Sequence, residues 1–430
     1  MKSTLHIQRT YNLLLSLFWL ATALPLSLSV LLFQARGLDL FQIGVAMGVY
    51  SLTIVILEVP TGGLADAIGR KRAAVIAYVC LMGSSALLLF AFSFPAVLIA
   101  FIFYGVGRAL SSGALDAWFV DALQAVDPQV DLQPYLARAG TFSFLALGVG
   151  TLLGSAIPVL FKALPADGSA VLTPFSMPIL FALGLKLLLV VLTSLLVQED
   201  RAGAHQGSWR RGFADVPRIV RTGFRLSRDN PILLLLLGAT AAGGLALAGL
   251  ENFWQPNFAN LLGGSAGKSL FFGAVMGGSF LAGMLGNWLA TPLSRRLKGR
   301  YALVCTIFQG GWGLAVLLLA IQLHPLPAAV AFWLAYLNMG ILNSPHSTLL
   351  NAEIPSEARS SMLSIASLAG YLGSMLGSIG LGYIAEHASI GLAWGIGGAV
   401  LVVSLALYWK IDLRQAEQRA PLPDTLTDAA

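Results

Sequence analysis

The sequence has few charged residues: Asp, Glu, Lys and Arg together make up 11% of its 430 residues. Soluble globular domains carry about 25% charged residues, because water must solvate their surfaces. A hydrophobic content of 57% accompanies the deficit. The composition therefore excludes a soluble domain and favours a chain whose long apolar segments cross a bilayer.

Cysteine is also scarce, since only Cys80 and Cys305 are present, far apart in apolar segments. Two such residues exclude a disulfide framework, and the sequence has no Cys/His cluster with metal-ligand spacing. It also lacks a His-Glu-x-x-His motif and a phosphate-binding loop of the Gly-x4-Gly-Lys type. We therefore expect no enzyme, no resident metal and no cofactor.

Twelve apolar segments are each close to the ~20 residues that a helix needs to cross the hydrocarbon core. One long polar stretch, residues 198–230, separates the sixth segment from the seventh. The pattern predicts an all-α membrane protein with twelve transmembrane helices in two six-helix bundles. The predicted spans are residues 11–34, 41–63, 73–94, 97–122, 140–161, 177–197, 232–254, 268–290, 302–322, 327–350, 361–385 and 390–410.

The basic residues are distributed unevenly among the loops. If the N-terminus is cytoplasmic, the N-terminal segment, the even-numbered loops and the C-terminal tail hold 21 of the 26 Lys and Arg residues. The odd-numbered loops hold three, and Arg108 and Lys186 fall inside spans. Because positively charged loops stay in the cytoplasm, both termini and the linker are predicted to lie there. The net charge of +6 thus reflects topology and does not indicate nucleic-acid binding.

The loop between the second and third spans carries a motif, Gly-Gly-Leu-Ala-Asp-Ala-Ile-Gly-Arg-Lys over residues 62–71. It resembles the signature loop of the major facilitator superfamily, Gly-x-Leu-Ala-Asp-Arg-x-Gly-Arg-Lys, and departs from it at Ala67. The run from Glu353 to Arg359 resembles the acidic-Pro-x-x-x-Arg run that the family often has before its eleventh helix. The matching loop positions are Gly62, Leu64, Ala65, Asp66, Gly69 and Arg70, followed by Lys71.

The resemblance covers residues 10–412 and implies a secondary transporter that works by alternating access. We expect a monomer in the bacterial inner membrane that exports a small amphipathic or drug-like solute against an inward flow of protons. The alternative is a proton-coupled symporter or uniporter that imports a small, possibly anionic metabolite. The expected parts are an N-terminal bundle (1–197), a cytoplasmic linker (198–230), a C-terminal bundle (231–412) and a cytoplasmic tail (413–430).

The resemblance also implies a conformational latch at the cytoplasmic surface. Asp66 is expected to lie at the N-terminus of the eleventh helix, where the helix dipole stabilises an anion by roughly 0.3–1 kcal/mol. Arg70 is expected to pair with Asp121, and both contacts would hold the outward-open state. The alternative is that the basic residues only set the topology. The latch residues are Gly62, Asp66, Gly69, Arg70, Lys71, Asp121 and Arg359.

Four ionisable residues are predicted at membrane depth, where each costs about 2.5–3.5 kcal/mol and usually serves a function. On a continuous helix, Arg108, Ser112 and Asp116 share one polar stripe. We expect Arg108 and Lys186 to face a central cavity, and Glu58 or Asp116 to carry the coupling proton. A structural ion network is the alternative.

The second half offers fewer polar candidates. Asn343 and His346 are three residues apart and therefore share a face of the tenth span. Both are candidates for the pathway of substrate or proton, although a hydrogen-bonded structural role for His346 is the favoured interpretation. Glu251 is placed at the outer end of the seventh span, outside the predicted site.

Overall fold

The long continuous apolar runs favour a helical backbone. Within the hydrocarbon core each backbone N–H and C=O must find a partner in the protein, and an α-helix satisfies them within one segment. The computed structural model describes residues 4–199, 221, 225–226, 228–354 and 359–419; the side chains of residues 59, 62–63, 66–67, 137, 359–361 and 417–419 lie outside this description. The described residues contain no strand.

The helices with defined bounds are numbered in chain order. They are α1 (Thr4–Ala23), α2 (Ser29–Ala35), α3 (Leu40–Ile68), α4 (Arg70–Leu89), α5 (Phe94–Ser111), α6 (Ala114–Val126), α7 (Gln133–Leu160), α8 (Met177–Leu196), α9 (Pro231–Leu261), α10 (Ser269–Arg296), α11 (Tyr301–Ala320), α12 (Pro325–Glu353), α13 (Arg359–His387) and α14 (Ile390–Arg419).

Eleven helical segments of the described chain are long and apolar enough to cross a membrane. They correspond to the second to twelfth predicted spans, with α5 and α6 counted together. The first predicted span, residues 11–34, is not one helix, because α1 ends at Ala23 and α2 begins at Ser29. Pro25 lies in this break, and a proline has no N–H to continue the hydrogen-bond ladder.

The fourth predicted span is also interrupted, which corrects the assumption of a continuous helix. Gly113 has a φ angle of +80°, a left-handed conformation that glycine adopts without steric cost. Helix α5 therefore ends at Ser111 and α6 begins at Ala114. Because the helical register is lost between them, Arg108 and Asp116 no longer belong to one stripe.

The first half (α1–α8) and the second half (α9–α14) repeat one packing pattern. In the first half, α1 packs against α7 and α8, α3 against α5, and α4 against α5 and α8. In the second half, α9 packs against α13 and α14, α10 against α12, and α11 against α12 and α14. The equivalence is that expected of an internally repeated fold.

A glycine motif marks equivalent positions of this repeat. Gly-x-x-Leu-Gly occurs in α7 at residues 150–154 and in α13 at residues 373–377. A Cβ on Gly154 would lie 1.8 Å from the Leu24 carbonyl oxygen, and one on Gly377 would lie 2.2 Å from the Leu245 carbonyl oxygen. Each motif thus lets its helix approach the first helix of its own half closely.

Among the described residues, four helix pairs join the halves: α3 with α13, α7 with α10, α2 with α9, and α3 with α9. We call the end that carries Arg70 and Arg295 the basic end, and the end that carries Gly37 and Gly263 the far end. Near the far end, a Cβ on Gly44 would lie 2.2 Å from the Ser378 carbonyl oxygen. The halves therefore touch backbone to backbone on this side.

Candidate functional site

Arg108 lies in α5 at the centre of the helix bundle. Its electrostatic neighbours are the hydroxyl groups of Tyr50, Tyr104 and Tyr371, and Tyr50 is within hydrogen-bonding reach. Its guanidinium carbon is 5.8 Å from each of the ring centroids of Phe18 and Trp19. Helices α1, α3, α5 and α13 therefore surround one half-buried cation with aromatic rings and hydroxyl groups, and cation–π contacts stabilise it there.

Glu58 connects the two halves beside this arginine. The Ser367 hydroxyl of α13 donates to its carboxylate, at 2.8 and 3.0 Å from the two oxygens. Arg108 lies within electrostatic range of the same carboxylate. The charge of Glu58 therefore affects both the arginine and the contact between α3 and α13.

Lys186 was expected to face the central cavity. In the structure it is instead buried between α4 and α5. Its side chain is 5% exposed, and its Nζ lies 2.6 Å from Ser85 Oγ of α4. It also lies 5.9 Å from the ring centroid of Tyr104. No ion pair to Lys186 occurs among the described residues, so the alternative of a structural ion network finds no support at this lysine.

Ser112 lies in the break itself, and Asp116 lies on the side of the break that is closer to the basic end. Asp116 is in the first turn of α6, where the helix dipole favours an anion. Its Oδ1 accepts a hydrogen bond of 2.5 Å from Tyr11 of α1, whose ring stacks on Phe119. The Ser112 hydroxyl donates to the Ala109 carbonyl. Asp116 therefore joins α6 to α1, apart from the ring of tyrosines around Arg108.

Glu251 lies deeper in its helix than the sequence predicts. The predicted seventh span ended at residue 254, but α9 continues to Leu261, so Glu251 lies ten residues inside its helix. Tyr50 and Tyr104 lie at the same depth, ten residues from the far ends of α3 and α5, or about 15 Å at 1.5 Å per residue. The missed signal was a carboxylate within an apolar run whose end had been set too early.

The immediate surroundings of Glu251 show that it faces inward. Residues 248–250 and 252–256 are all buried, whereas Glu251 is exposed. Its Oε1 lies 3.4 Å from the hydroxyl of Tyr336 in α12, and Tyr104 lies within electrostatic range of both Glu251 and Arg108. We call the space between these groups the central chamber, bounded by Tyr50, Tyr104, Arg108, Glu251, Tyr336 and Tyr371.

His346 and Asn343 do not join the central chamber. His346 Nδ1 is 2.8 Å from the Tyr408 hydroxyl, and its Nε2 is 3.1 Å from Thr240 Oγ1. Because Thr240 donates its proton to a backbone carbonyl, Nε2 carries the ring proton and Nδ1 accepts from Tyr408. His346 thus joins α9, α12 and α14, whereas Asn343 is exposed.

Only part of the predicted latch lies among the residues that the structure describes. Arg70 Nε lies 3.5 Å from Asp121 Oδ2, as the predicted pairing requires. Gly69 has a φ angle of +94°, and the carboxylate of Glu199 accepts from the backbone N–H groups of Arg70 and Lys71 at 2.7 and 3.3 Å. This cap at the start of α4 was missed because Glu199 is distant in sequence. The side chains of Asp66 and Arg359, and the surroundings of Gly62, lie outside the described residues.

At the far end, hydrogen bonds cross between the halves. The Glu386 carboxylate of α13 accepts from the backbone N–H of Leu40 at 2.8 Å, at the start of α3. Gln255 of α9 accepts from the N–H of Val30 at 3.0 Å and donates to the Leu26 carbonyl at 2.9 Å. These bonds close the far side of the central chamber.

A separate cavity of about 440 Å³ opens at the far end and holds none of the predicted site residues. Its wall includes part of a Gly-x-Ser-x-Gly run at residues 263–267. That run lies between helices α9 and α10, not between a strand and a helix as in a hydrolase nucleophile elbow. The run therefore gives no indication of hydrolase chemistry.

A comparison with protein families matches residues 12–310 to the Major Facilitator Superfamily. The chain belongs to this superfamily. Its members are membrane transporters, so this superfamily protein is a multi-pass membrane transporter of the same general kind, with an all-helical fold. A comparison with curated protein sequences gives no match.

Solved structures share the fold of this superfamily protein. The nucleoside transporter NupG aligns with a TM-score of 0.74 and 16% identity, covering 96% of this chain and 99% of NupG. The human organic anion transporter MFSD10 aligns at 0.63 and 17%, covering 95% and 100%. A POT family transporter in complex with 5-aminolevulinic acid aligns at 0.71 and 12%, covering 95% and 96%. At these identities the similarity shows the fold alone.

In this superfamily protein the central chamber lies where both halves contribute side chains. The first half supplies Arg108, Tyr50 and Tyr104, and the second supplies Glu251 and Tyr336. Such an arrangement can bind a solute at mid-depth, where repeated transporters place their sites.

Proposed function

We propose that this chain is a proton-coupled exporter of a small amphipathic solute. Twelve spans follow if α1 and α2 are counted as the first. The basic end then lies in the cytoplasm of a bacterium, with both termini on that side and the chain acting as a monomer in the inner membrane. Residues 1–197 and 231–412 rock about the central chamber, joined by the linker 198–230 and followed by the tail 413–430.

The hydrogen bond between Ser367 and Glu58 is the observation that carries the proposal. A hydrogen bond to a charged group contributes about 1.5–3 kcal/mol, roughly twice the value for a neutral pair. Protonation of Glu58 would therefore weaken a contact between the halves and remove a negative charge near Arg108. One proton would thus change both the fit of the halves and the charge of the central chamber.

The latch is proposed to act at the basic end. Asp66 and Arg359 would hold α3 and α13 together, while Arg70 and Asp121 keep α4 and α6 aligned. Gly69 supports this arrangement, because a Cβ there would lie 2.7 Å from a Glu199 carboxylate oxygen. In the proposed cycle the contact of Asp66 and Arg359 between the halves forms when the protein opens outward, and the far-end contacts replace it when the protein opens inward. The Arg70–Asp121 pair lies within the first half, is present together with the far-end contacts, and supports the loop that carries Asp66.

The test uses everted vesicles that report the acidity of their lumen through a pH-sensitive dye. A panel of amphipathic toxic compounds is added, and an exported solute should release protons from the lumen. Glu58→Gln should retain insertion and solute binding but release no protons. Asp116→Asn is the matched control, and it should still release them. Proton release that persists in Glu58→Gln would contradict the assignment of Glu58.

Import of a small metabolite is the second candidate, and Arg108 with its three tyrosine hydroxyls favours it for an anion. The related structures include transporters of nucleosides and organic anions, so the fold is compatible with either direction of transport. In right-side-out vesicles an importer would accumulate the solute. Export instead predicts accumulation in everted vesicles only.

A further inference from the structure

We propose that Glu251 and Arg108 bind the two ends of a zwitterionic solute, Glu251 its amino group and Arg108 its carboxylate. The inference rests on the proposed function only in taking the central chamber as the place where the solute binds. It gives the substrate class as small amphipathic zwitterions, such as aromatic or branched amino acids and compounds with the same charged groups.

The Glu251 side chain points into the helix bundle and not towards the lipid. Glu251 is exposed, although the residues one turn away on the same face of α9 are buried: Ala248 is 7% exposed, Trp254 1% and Gln255 2%. A lipid-facing position would leave neighbours on the same face exposed as well. The contact with Tyr336, itself 4% exposed, turns the carboxylate towards α12 and the central chamber.

The charge of Glu251 has no compensating cation among the described residues. Among the described residues no cation forms an ion pair with it, and the polar contact with its carboxylate is the single 3.4 Å hydrogen bond from Tyr336. A carboxylate at mid-depth is costly unless a cation compensates it. A cationic group on the solute would provide that compensation, and aromatic rings nearby would support it.

Arg108 lies on the first-half side of the central chamber, opposite Glu251. Arg108 also has no ion-pair partner among the described residues, although Glu58 lies within its electrostatic range. Tyr50, Tyr104 and Tyr371 place hydroxyl groups near its guanidinium, and these could donate further hydrogen bonds to a bound carboxylate. Arginine suits this role because its planar guanidinium can donate two parallel hydrogen bonds to a carboxylate.

Arg108 and Glu251 face the central chamber from different halves. Glu251 and Tyr104 each lie ten residues from the far ends of their helices, and Arg108 lies one turn beyond Tyr104 in α5. Tyr104 is also within electrostatic range of both charges. Arg108 and Glu251 therefore lie at similar depth on different halves. A solute that is charged at one end leaves the opposite wall without compensation. A zwitterion compensates both charges, and it touches both halves at once.

The test measures binding to the purified full-length protein in detergent, where no gradient is needed. Two sets of probes are used: phenylalanine with phenethylamine and hydrocinnamate, and leucine with isoamylamine and isocaproate. Within at least one set the wild-type protein should bind the zwitterion at least about tenfold more tightly than either singly charged analogue. The proposal is overturned if in both sets the zwitterion binds no more tightly than its analogues, or does not bind.

Variants assign the two ends. Glu251→Gln should weaken binding of the zwitterion and the amine about tenfold and leave the acid unchanged. Arg108→Gln should weaken binding of the zwitterion and the acid about 100-fold or more and leave the amine unchanged. Glu251→Asp keeps the charge and should retain the preference for the amine. It therefore distinguishes loss of the charge from a general folding defect in Glu251→Gln. Asp167→Asn, in the exposed loop after α7, is the matched control and should change nothing. Equal losses for all three probes in Glu251→Gln would contradict the assignment.

The two proposals fail in different ways. If vesicles show no proton coupling but the zwitterion preference holds, the coupling is wrong and the substrate class stands. If proton release occurs with solutes of one charge only and zwitterions do not bind, the exporter stands and the substrate class is wrong.

Discussion

The two halves of the molecule share a packing scheme but differ in their chemistry. Gly154 and Gly377 hold equivalent positions and approach equivalent helices, as the second glycine of a repeated Gly-x-x-Leu-Gly motif. By contrast, the first half holds Glu58, Arg108 and Lys186 within its spans, while the described second half holds Glu251 ten residues inside α9. The repeat therefore conserves backbone geometry, whereas the charges differ between halves.

The difference shows that packing and transport chemistry can be separated. Close packing depends on small residues that let backbones approach, and both halves need it. Ionisable groups in the membrane are expensive and are kept where they act. Substitutions of glycine should therefore affect both halves alike, whereas substitutions of charges should affect each half in its own way.

The largest effect is expected from Arg108→Lys. A lysine keeps the charge but loses the planar guanidinium and its several donors, so hydrogen bonds to the tyrosine hydroxyls and the solute are lost. At about 1.5–3 kcal/mol for a charge-assisted bond, solute binding should fall about 100-fold. Equilibrium binding measures the change.

Arg138→Lys is the control for that substitution, because Arg138 is exposed near the basic end and contacts Gln8 at 3.4 Å. It should bind solute as the wild type does. If Arg108→Lys also binds normally, the guanidinium is not part of the site.

The second effect tests the shared packing. Gly154→Ala and Gly377→Ala should each lower the free energy of unfolding by about 1–3 kcal/mol, because the added Cβ overlaps a carbonyl oxygen of the facing helix. Gly380→Ala is the control in the same helix as Gly377, since nothing lies within 4 Å of its Cβ position. Denaturation in detergent gives the values. A large cost in one half and none in the other would break the equivalence.

Much of the fold could be predicted from the sequence because hydrophobic length and charged loops act locally. Eleven predicted spans correspond to helical segments, and the family was recognised from the loop at residues 62–71. The breaks at Pro25 and Gly113 were missed, although both residues are helix breakers. An apolar run conceals a short turn, because hydropathy measures length and not backbone direction.

The site was harder to predict because its residues meet through tertiary contacts. Arg108 was found as a charge within a span, but its tyrosine partners come from three helices. Lys186 was expected to line the cavity, whereas Ser85, a hundred residues earlier in the chain, supplies a buried partner. Glu251 was missed because the predicted end of its span was seven residues short.

A smaller effect is expected from His346→Gln in the second half. Both ring nitrogens are satisfied by Tyr408 and Thr240, so the substitution should cost about 1 kcal/mol of stability, near the value of one hydrogen bond. Proton release in everted vesicles should be unchanged. If Glu58→Gln keeps proton release and His346→Gln loses it, the proton carrier belongs to the second half and the comparison is reversed.

The smallest effect on stability is expected from Asp121→Asn at the basic end. The Arg70 and Asp121 side chains are 26% and 59% exposed, so solvent screens their pair and the loss should stay below about 1 kcal/mol. The same small energy still changes the ratio of two conformations by about twofold to fivefold. Asp121→Asn should therefore change the transport rate severalfold while unfolding hardly changes.

A charge-swapped variant decides whether that rate change comes from the pair. Arg70→Asp combined with Asp121→Arg restores opposite charges across 3.5 Å and should recover part of the lost rate. Recovery would show that the pair acts on the conformational equilibrium, because topology alone depends on the total basic charge of the loop, which the swap lowers. If Asp121→Asn transports at the wild-type rate, the basic residues act only on topology and the latch proposal fails.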